Sequence, residues 1–218
     1  MIRSLTPLLA FCLLSCGSAH NDRPLVTQSE AAIIGGSPVS NDDLIKTVSV
    51  KIYMDRADSK TYSCSGVLIS HNALLTAAHC AANMISGNIY FYDGSNPTAI
   101  NMPIIDPKYQ PTAKTNRHDF AIVKFKKDKP IEKYARLASW WTEPKDGDVV
   151  AIAGFGQTYI GDPNAFESFV LKSLPVKILN INFSDSEIEI NEGANSGACH
   201  GDSGGPGYSI AGGNVFVW

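Results

Sequence analysis

The sequence predicts an all-β protein. Three observations carry this: short apolar segments recur along the chain, clusters of Gly, Pro, Asn and Asp separate them, and few stretches sustain a helical period. In order, the expected strands are Thr47 to Met54, Tyr62 to Ser70, Asn88 to Tyr92, Phe120 to Phe125, Val149 to Ala153 and Phe169 to Ile178. Each is an apolar run of strand length bounded by turn residues. Ala77 to Ala82 has room only for a short helical turn. Many short strands with turn signals between them build a barrel or a sandwich. No internal repeat or low-complexity tract breaks the pattern.

Composition narrows the class. The 218 residues are 44% apolar and 18% charged, with a net charge of −3, so the chain can bury a core and is neither disordered nor fibrous. It has no basic run, which argues against a nucleic-acid partner. The longest apolar stretch lies at the extreme N-terminus, where Arg3 precedes Leu5 to Leu14. Ten residues are too few to span a bilayer, so residues 1–15 read as an export signal. Leu13-Leu14-Ser15-Cys16-Gly17 is similar to a bacterial lipobox, which makes Cys16 the candidate lipidated residue and a membrane tether. The alternative is ordinary cleavage near Ala19. Residues 16–32 then form a polar tether or propeptide. The cysteines agree with an oxidising compartment: Cys12 lies in the signal, and Cys64, Cys80 and Cys199 lie in the body of the chain. The histidines are scattered and Cys64 and Cys80 are far apart, so no metal pattern is present and no cofactor is expected.

The chemistry concentrates in Gly201-Asp202-Ser203-Gly204-Gly205-Pro206. Glycines around a serine let the backbone turn sharply and approach a substrate with no Cβ in the way. The N–H groups of Gly201 and Ser203 can then converge on one spot and stabilise an oxyanion. A hydroxyl is a poor nucleophile and needs a base. Leu75-Thr76-Ala77-Ala78-His79-Cys80 supplies His79. An orienting carboxylate should follow, and Asp119 stands at the head of the apolar run Phe120-Ala121-Ile122-Val123. A carboxylate entering such a run is costly unless paired. His118 reads as structural or exposed, and His71 and His20 carry no signal.

These motifs, in the order His79, Asp119, Ser203, resemble the trypsin/chymotrypsin-like serine proteases. The resemblance rests on TAAHC, HDFAIVKF, GDSGGP, the Ile33-Ile34-Gly35-Gly36 start and Gly154-Phe155-Gly156, and it runs from Ile33 to the last residue. It implies two antiparallel six-stranded β-barrels with the site between them, the first over about 33–128, a linker over 129–148 and the second over 149–218. It implies a peptidase acting on protein or peptide substrates, with His79 as general base, Asp119 orienting it and Ser203 as nucleophile. A disulfide between Cys64 and Cys80 would close the loop holding His79. Cleavage before Ile33 would free an ammonium to pair with Asp202 and form the oxyanion loop. Ala32 precedes that bond where trypsin-activated members carry a basic residue.

The family's specificity pocket has its base six residues before the serine, here Gly197, with Ala198 and His200 along the pocket and its mouth. Gly197 carries no charge, which implies a preference for uncharged P1 side chains. One departure stands out. Only twelve residues follow Pro206, where family members continue for a few tens. The expectation is an incomplete second barrel, a missing pocket wall and an unpartnered Cys199. The alternative reading is therefore a catalytically impaired homologue acting as a surface binding lipoprotein.

Overall fold

The computed structural model describes residues 33–111, 116–126, 131–139, 142–156, 169–193 and 195–218. The expected export signal over residues 1–15, Cys16 and the 16–32 segment lie outside the described residues. In chain order the first part contains β1 (Ser37–Pro38), α1 (Leu44–Val48), β2 (Ser49–Arg56), β3 (Thr61–Ser70), β4 (Ala73–Thr76), α2 (Ala78–Ala81), β5 (Met84–Phe91), β6 (Thr98–Ala99), β7 (Ile104–Ile105), β8 (Gln110–Pro111), β9 (Asn116–Arg117) and β10 (Ala121–Lys124). The second contains β11 (Arg136–Leu137), β12 (Val149–Gly154), β13 (Lys172–Asn180), β14 (Glu189–Asn191), β15 (Gly207–Ala211) and β16 (Asn214–Val217).

These strands make two curled sheets of seven strands each, as expected of an all-β chain. The first runs β6-β5-β2-β3-β4-β10-β7. Its core is aliphatic, with Val50, Ile52, Met54, Leu68, Leu74, Ile89 and Val123 turned inward. The second runs β1-β13-β12-β15-β16-β11, with β14 also paired to β13. It folds around Val39, Phe155, Leu171, Tyr208 and Val217. Ile45 and Val48 of α1 and Val67 of β3 pack into that second cluster, so the two halves share buried surface.

Two short strands pair across the expected divisions. The chain start does not stay with the first sheet: β1 pairs antiparallel with β13, Ser37 facing Ser173. The linker is not free of the second sheet either, because β11 pairs parallel with β16, Arg136 facing Phe216. The expected strand at Thr47 begins two residues later, because Asp43 caps a short helix by accepting from the Ile45 N–H at 2.9 Å. The short strands β6 to β9, β11 and β14 escape sequence reading, since two or three residues carry no period.

One core residue is unexpected. Lys51 of β2 is fully buried, with Nζ 4.8 Å from the Phe169 ring centre and 5.2 Å from that of Tyr53. Aromatic faces offset part of the cost of taking an ammonium out of water. The hydrocarbon core sets the stability of the first sheet. Leu74 is 0% exposed in it, so Leu74→Ala should cost about 3 kcal/mol in urea unfolding at unchanged m-value.

Candidate active site

His79 sits in α2, one short turn that leaves β4 directly. Asp119 lies two residues before β10, and β10 pairs with β4, Ala121 facing Thr76. This pairing delivers the carboxylate to the histidine. Asp119 Oδ1 accepts the His79 backbone N–H at 2.7 Å, and Oδ2 lies 2.6 Å from His79 Nδ1. An ionised carboxylate can only accept, so the contact puts the ring proton on Nδ1 and leaves Nε2 as the acceptor of the neutral ring. The histidine side chain is 37% exposed and the aspartate 21%, so the imidazole is open to a substrate while its partner is covered.

Ser203 comes from the other half, in the turn before β15. Ser65 ties that turn to the first sheet. Ser65 of β3 donates its N–H to the Ser203 carbonyl at 2.9 Å and its hydroxyl to the Gly201 carbonyl at 2.9 Å. The same Oγ accepts the Phe155 N–H at 2.9 Å, while the Ser65 carbonyl accepts the Thr76 hydroxyl at 2.8 Å. Cys64, beside Ser65, is bonded to Cys80, beside His79. The disulfide sulfur of Cys80 lies 3.8 Å from the Ser203 carbonyl oxygen and 3.7 Å from His79 Nε2. The serine turn and the histidine turn therefore meet at one disulfide. Gly204 shows how closely: it has φ +79°, and a Cβ there would fall 2.1 Å from Thr76 Oγ1 and 2.5 Å from the Ser65 carbonyl.

Asp202 points the other way, into the second half. It is only 6% exposed. Its Oδ1 accepts the Gly156 N–H at 2.8 Å and its Oδ2 the Cys199 N–H at 2.9 Å, and the Ile33 backbone N–H is a further donor. Burial pushes its carboxyl up to about 6, against the opposing pull of those three N–H groups. Ile33 itself is 1% exposed, with φ +52°, which is costly for a β-branched residue. Ile34 and Gly197 exchange both backbone bonds, at 3.1 and 3.0 Å. Gly197, Ala198 and His200 thus lie on the strip of chain between the Ile34 bridge and Ser203. Ala198 and His200 are exposed, and Cys199 is a free thiol.

Sequence reasoning missed two residues here and left the contacts of a third unread. Ser65 is the clamp described above, and a serine in a strand gives no signal of it. Arg56 ends β2, donates Nη2 to the His79 carbonyl and stacks 4.2 Å from the Tyr62 ring centre. His118, read as structural or exposed, is a half-buried bridge at φ +52°: Nδ1 is 3.4 Å from Asp106 and Nε2 3.3 Å from Asp185, across the two halves. Among the described residues no three His, Cys, Asp or Glu side chains gather where they could hold a metal ion, and no helix is long and apolar enough to cross a membrane.

With this geometry in place, comparison gives the class. The Trypsin family model matches residues 33–215, and the chain belongs to that family of serine proteases. Hypodermin-A of Hypoderma lineatum is 26% identical, the match covering 91% of this chain and 83% of that protein. Chymotrypsin-like elastase family member 1 of Rattus norvegicus is 23% identical, over 94% of this chain and 82% of that one. The solved HL collagenase superposes with a TM-score of 0.68 at 20% identity, over 84% of this chain and 91% of that one, and so supports the fold.

Two outcomes follow from the site geometry. Ser65→Ala leaves the Phe155 N–H and Gly201 carbonyl without their partner, and should cost about 2 kcal/mol in urea unfolding. The Asp202 carboxyl is raised in the folded chain, so the folded state binds the proton more tightly than the unfolded one. Its contribution is present below the ordinary value of 3.8 and is lost as pH rises through about 6. For the chain uncut before Ile33, this amounts to about 3 kcal/mol across that window. Unfolding from pH 3.5 to 7.5 should show the step as a difference between wild type and Asp202→Asn.

Proposed function

We propose that the chain is an exported serine endopeptidase that hydrolyses peptide bonds through an acyl-enzyme on Ser203. The observation that carries this is the double contact of Asp119 with the His79 N–H and Nδ1. It presets the tautomer a general base needs. His79 Nε2 takes the proton of the Ser203 hydroxyl as its oxygen attacks the scissile carbonyl. The backbone N–H groups of Gly201 and Ser203 stabilise the oxyanion. The imidazolium returns the proton to the leaving amine, the C–N bond breaks, and water repeats the sequence on the ester to release the acid and restore Ser203.

Activation is the second part of the proposal. Asp202 is buried against a neutral N–H at Ile33, which leaves its charge uncompensated. Cleavage after Ala32 converts that N–H into an ammonium beside the carboxylate and removes the φ constraint on Ile33. Both changes favour the ordered loop that holds Gly201 and Ser203. Cys16, if lipidated, would tether the uncut chain, and the same cleavage would release it.

The test uses the full-length chain with an engineered cleavage site directly before Ile33. After cleavage, a fluorophosphonate probe should label Ser203, and Ser203→Ala or His79→Ala should abolish labelling and lower peptidase kcat by roughly four orders of magnitude or more. Undiminished labelling in Ser203→Ala would reject the nucleophile. Equal labelling before and after cleavage would reject the activation step.

A further inference from the structure

Asp119 stands at the centre of a three-residue turn. The Phe120 N–H donates to the His118 carbonyl at 2.9 Å, and His118 has φ +52°. A left-handed residue beside a site is costly and persists only where its surroundings over-determine it. Here they do, and from both halves. On the first-half side, the Phe120 carbonyl accepts the Asp106 N–H at 3.2 Å, and the Asp106 carboxylate lies 3.4 Å from His118 Nδ1. β7 ends just before Asp106 and pairs with β10, Ala121 facing Ile105, so the sheet fixes Asp106. On the second-half side, the His118 N–H donates to Ser186 Oγ at 3.1 Å, and the Asp185 carboxylate lies 3.3 Å from His118 Nε2. These two residues belong to the loop from β13 to β14, which is internally bonded. The Ser186 N–H donates to Ser184 Oγ at 3.2 Å, and the Ser184 hydroxyl to Glu187 at 2.9 Å. The His118 side chain is 16% exposed, that of Asp106 12% and that of Asp185 67%.

We infer that His118 is a positioning residue for Asp119. Its ring joins Asp106 of the first half to Asp185 of the second, and so fixes the turn that aims the Asp119 carboxylate at His79. This rests on the peptidase reading above, in which Asp119 orients the base. Asp119 meets His79 through both carboxylate oxygens, at 2.7 and 2.6 Å, and a two-point contact that short tolerates little rotation of the turn behind it. Packing alone does not prevent that rotation, because a cleft of about 510 Å³, lined by Asp119, Phe120, Phe183 and Ser186, opens beside the turn. The bridge can. Both ring nitrogens of His118 face a carboxylate, and an imidazolium donates at both, so one side chain serves the two halves at once. The Asp106 end is covered and is the stronger hold. The Asp185 end is open to water, where an ion pair contributes less. Ser65 joins the halves at the serine turn, and His118 joins them at the aspartate turn.

The experiment uses the cleaved full-length chain and His118→Asn. Asparagine accepts a positive φ and keeps the backbone N–H, so the turn can form while the bridge is lost. The expected kcat is about tenfold lower, the scale of one hydrogen bond to a charged group. KM should stay within about twofold, the split that follows when the base is mis-set and substrate binding is not. The proton between His79 Nδ1 and Asp119 should exchange with water about tenfold faster, read from its NMR signal far downfield of the amides. Asp185→Asn, at an exposed position, should lower kcat about threefold, and the double variant should be no slower than His118→Asn alone. A double variant about thirtyfold down, the product of two independent effects, overturns the bridge. So does a lower melting temperature with kcat and the His79 proton unchanged, which would leave His118 a purely structural contact. Should His118→Asn fail to fold, the same two readouts on Asp185→Asn decide. Absent fluorophosphonate labelling of wild type rejects the peptidase reading instead. The His79 proton needs no turnover and still decides the role of His118.

Discussion

Ser65 is the residue on which the geometry of the site depends. Its N–H, hydroxyl and carbonyl are all engaged, and the partners come from three separate places: the serine turn at Gly201 and Ser203, Phe155, and Thr76. The serine turn is glycine-rich, and glycine loses more backbone freedom on ordering than any other residue. Such a turn does not hold a shape by its own preferences. It holds one because a rigid strand of the first sheet offers fixed partners at the right spacing. β3 is that strand, paired on both sides to β2 and β4. The disulfide next to Ser65 then carries the constraint to the histidine turn within one bonded link.

A second constraint acts from the opposite side. Asp202 is a carboxylate taken out of water and given three backbone N–H donors, yet burial still outweighs them. Those donors come from Gly156, Cys199 and Ile33, that is, from the end of β12, from the chain just before Ser203, and from the start of the described chain. The N-terminal segment is therefore not an appendage. It is bonded to Gly197 through Ile34 and to β13 through β1, so its position and that of the serine turn are mechanically one. In the proposed mechanism a single new positive charge at Ile33 acts on this unit and nowhere else.

Much of this was legible in the chain, for reasons that can be stated residue by residue. β2 and β3 declare themselves because each is long enough to show its buried face, whereas four-residue β4 gave no signal and β5 begins at Met84, four residues before the expected Asn88. His79, Asp119 and Ser203 announce themselves through flanking residues whose presence has steric causes, Gly204 being the clearest. What stayed hidden has no local signal. Ser65 and Arg56 act through backbone atoms far away in sequence, and neither residue type is unusual in a strand. The pairings of β1 and β11 depend on two residues each. Glu192 is a further case: a Cβ on Gly197 would meet it, five residues earlier in the chain, and nothing in the residue type at either position signals that packing.

Glu192 and Asp202 place two carboxylates beside the short segment from Gly197 to Ser203. Burial makes Asp202 costly to ionise, and the charge of Glu192 adds to that cost. Among the described residues neither has a cation at ion-pair distance. The uncut chain thus carries a local excess of negative charge on the loop it must order. In the proposed reading the ammonium made by cleavage before Ile33 answers it and lowers the cost of an ionised Asp202. Anything that favours the ionised carboxylate then favours the ordered loop by the same free energy, because the coupling is reciprocal.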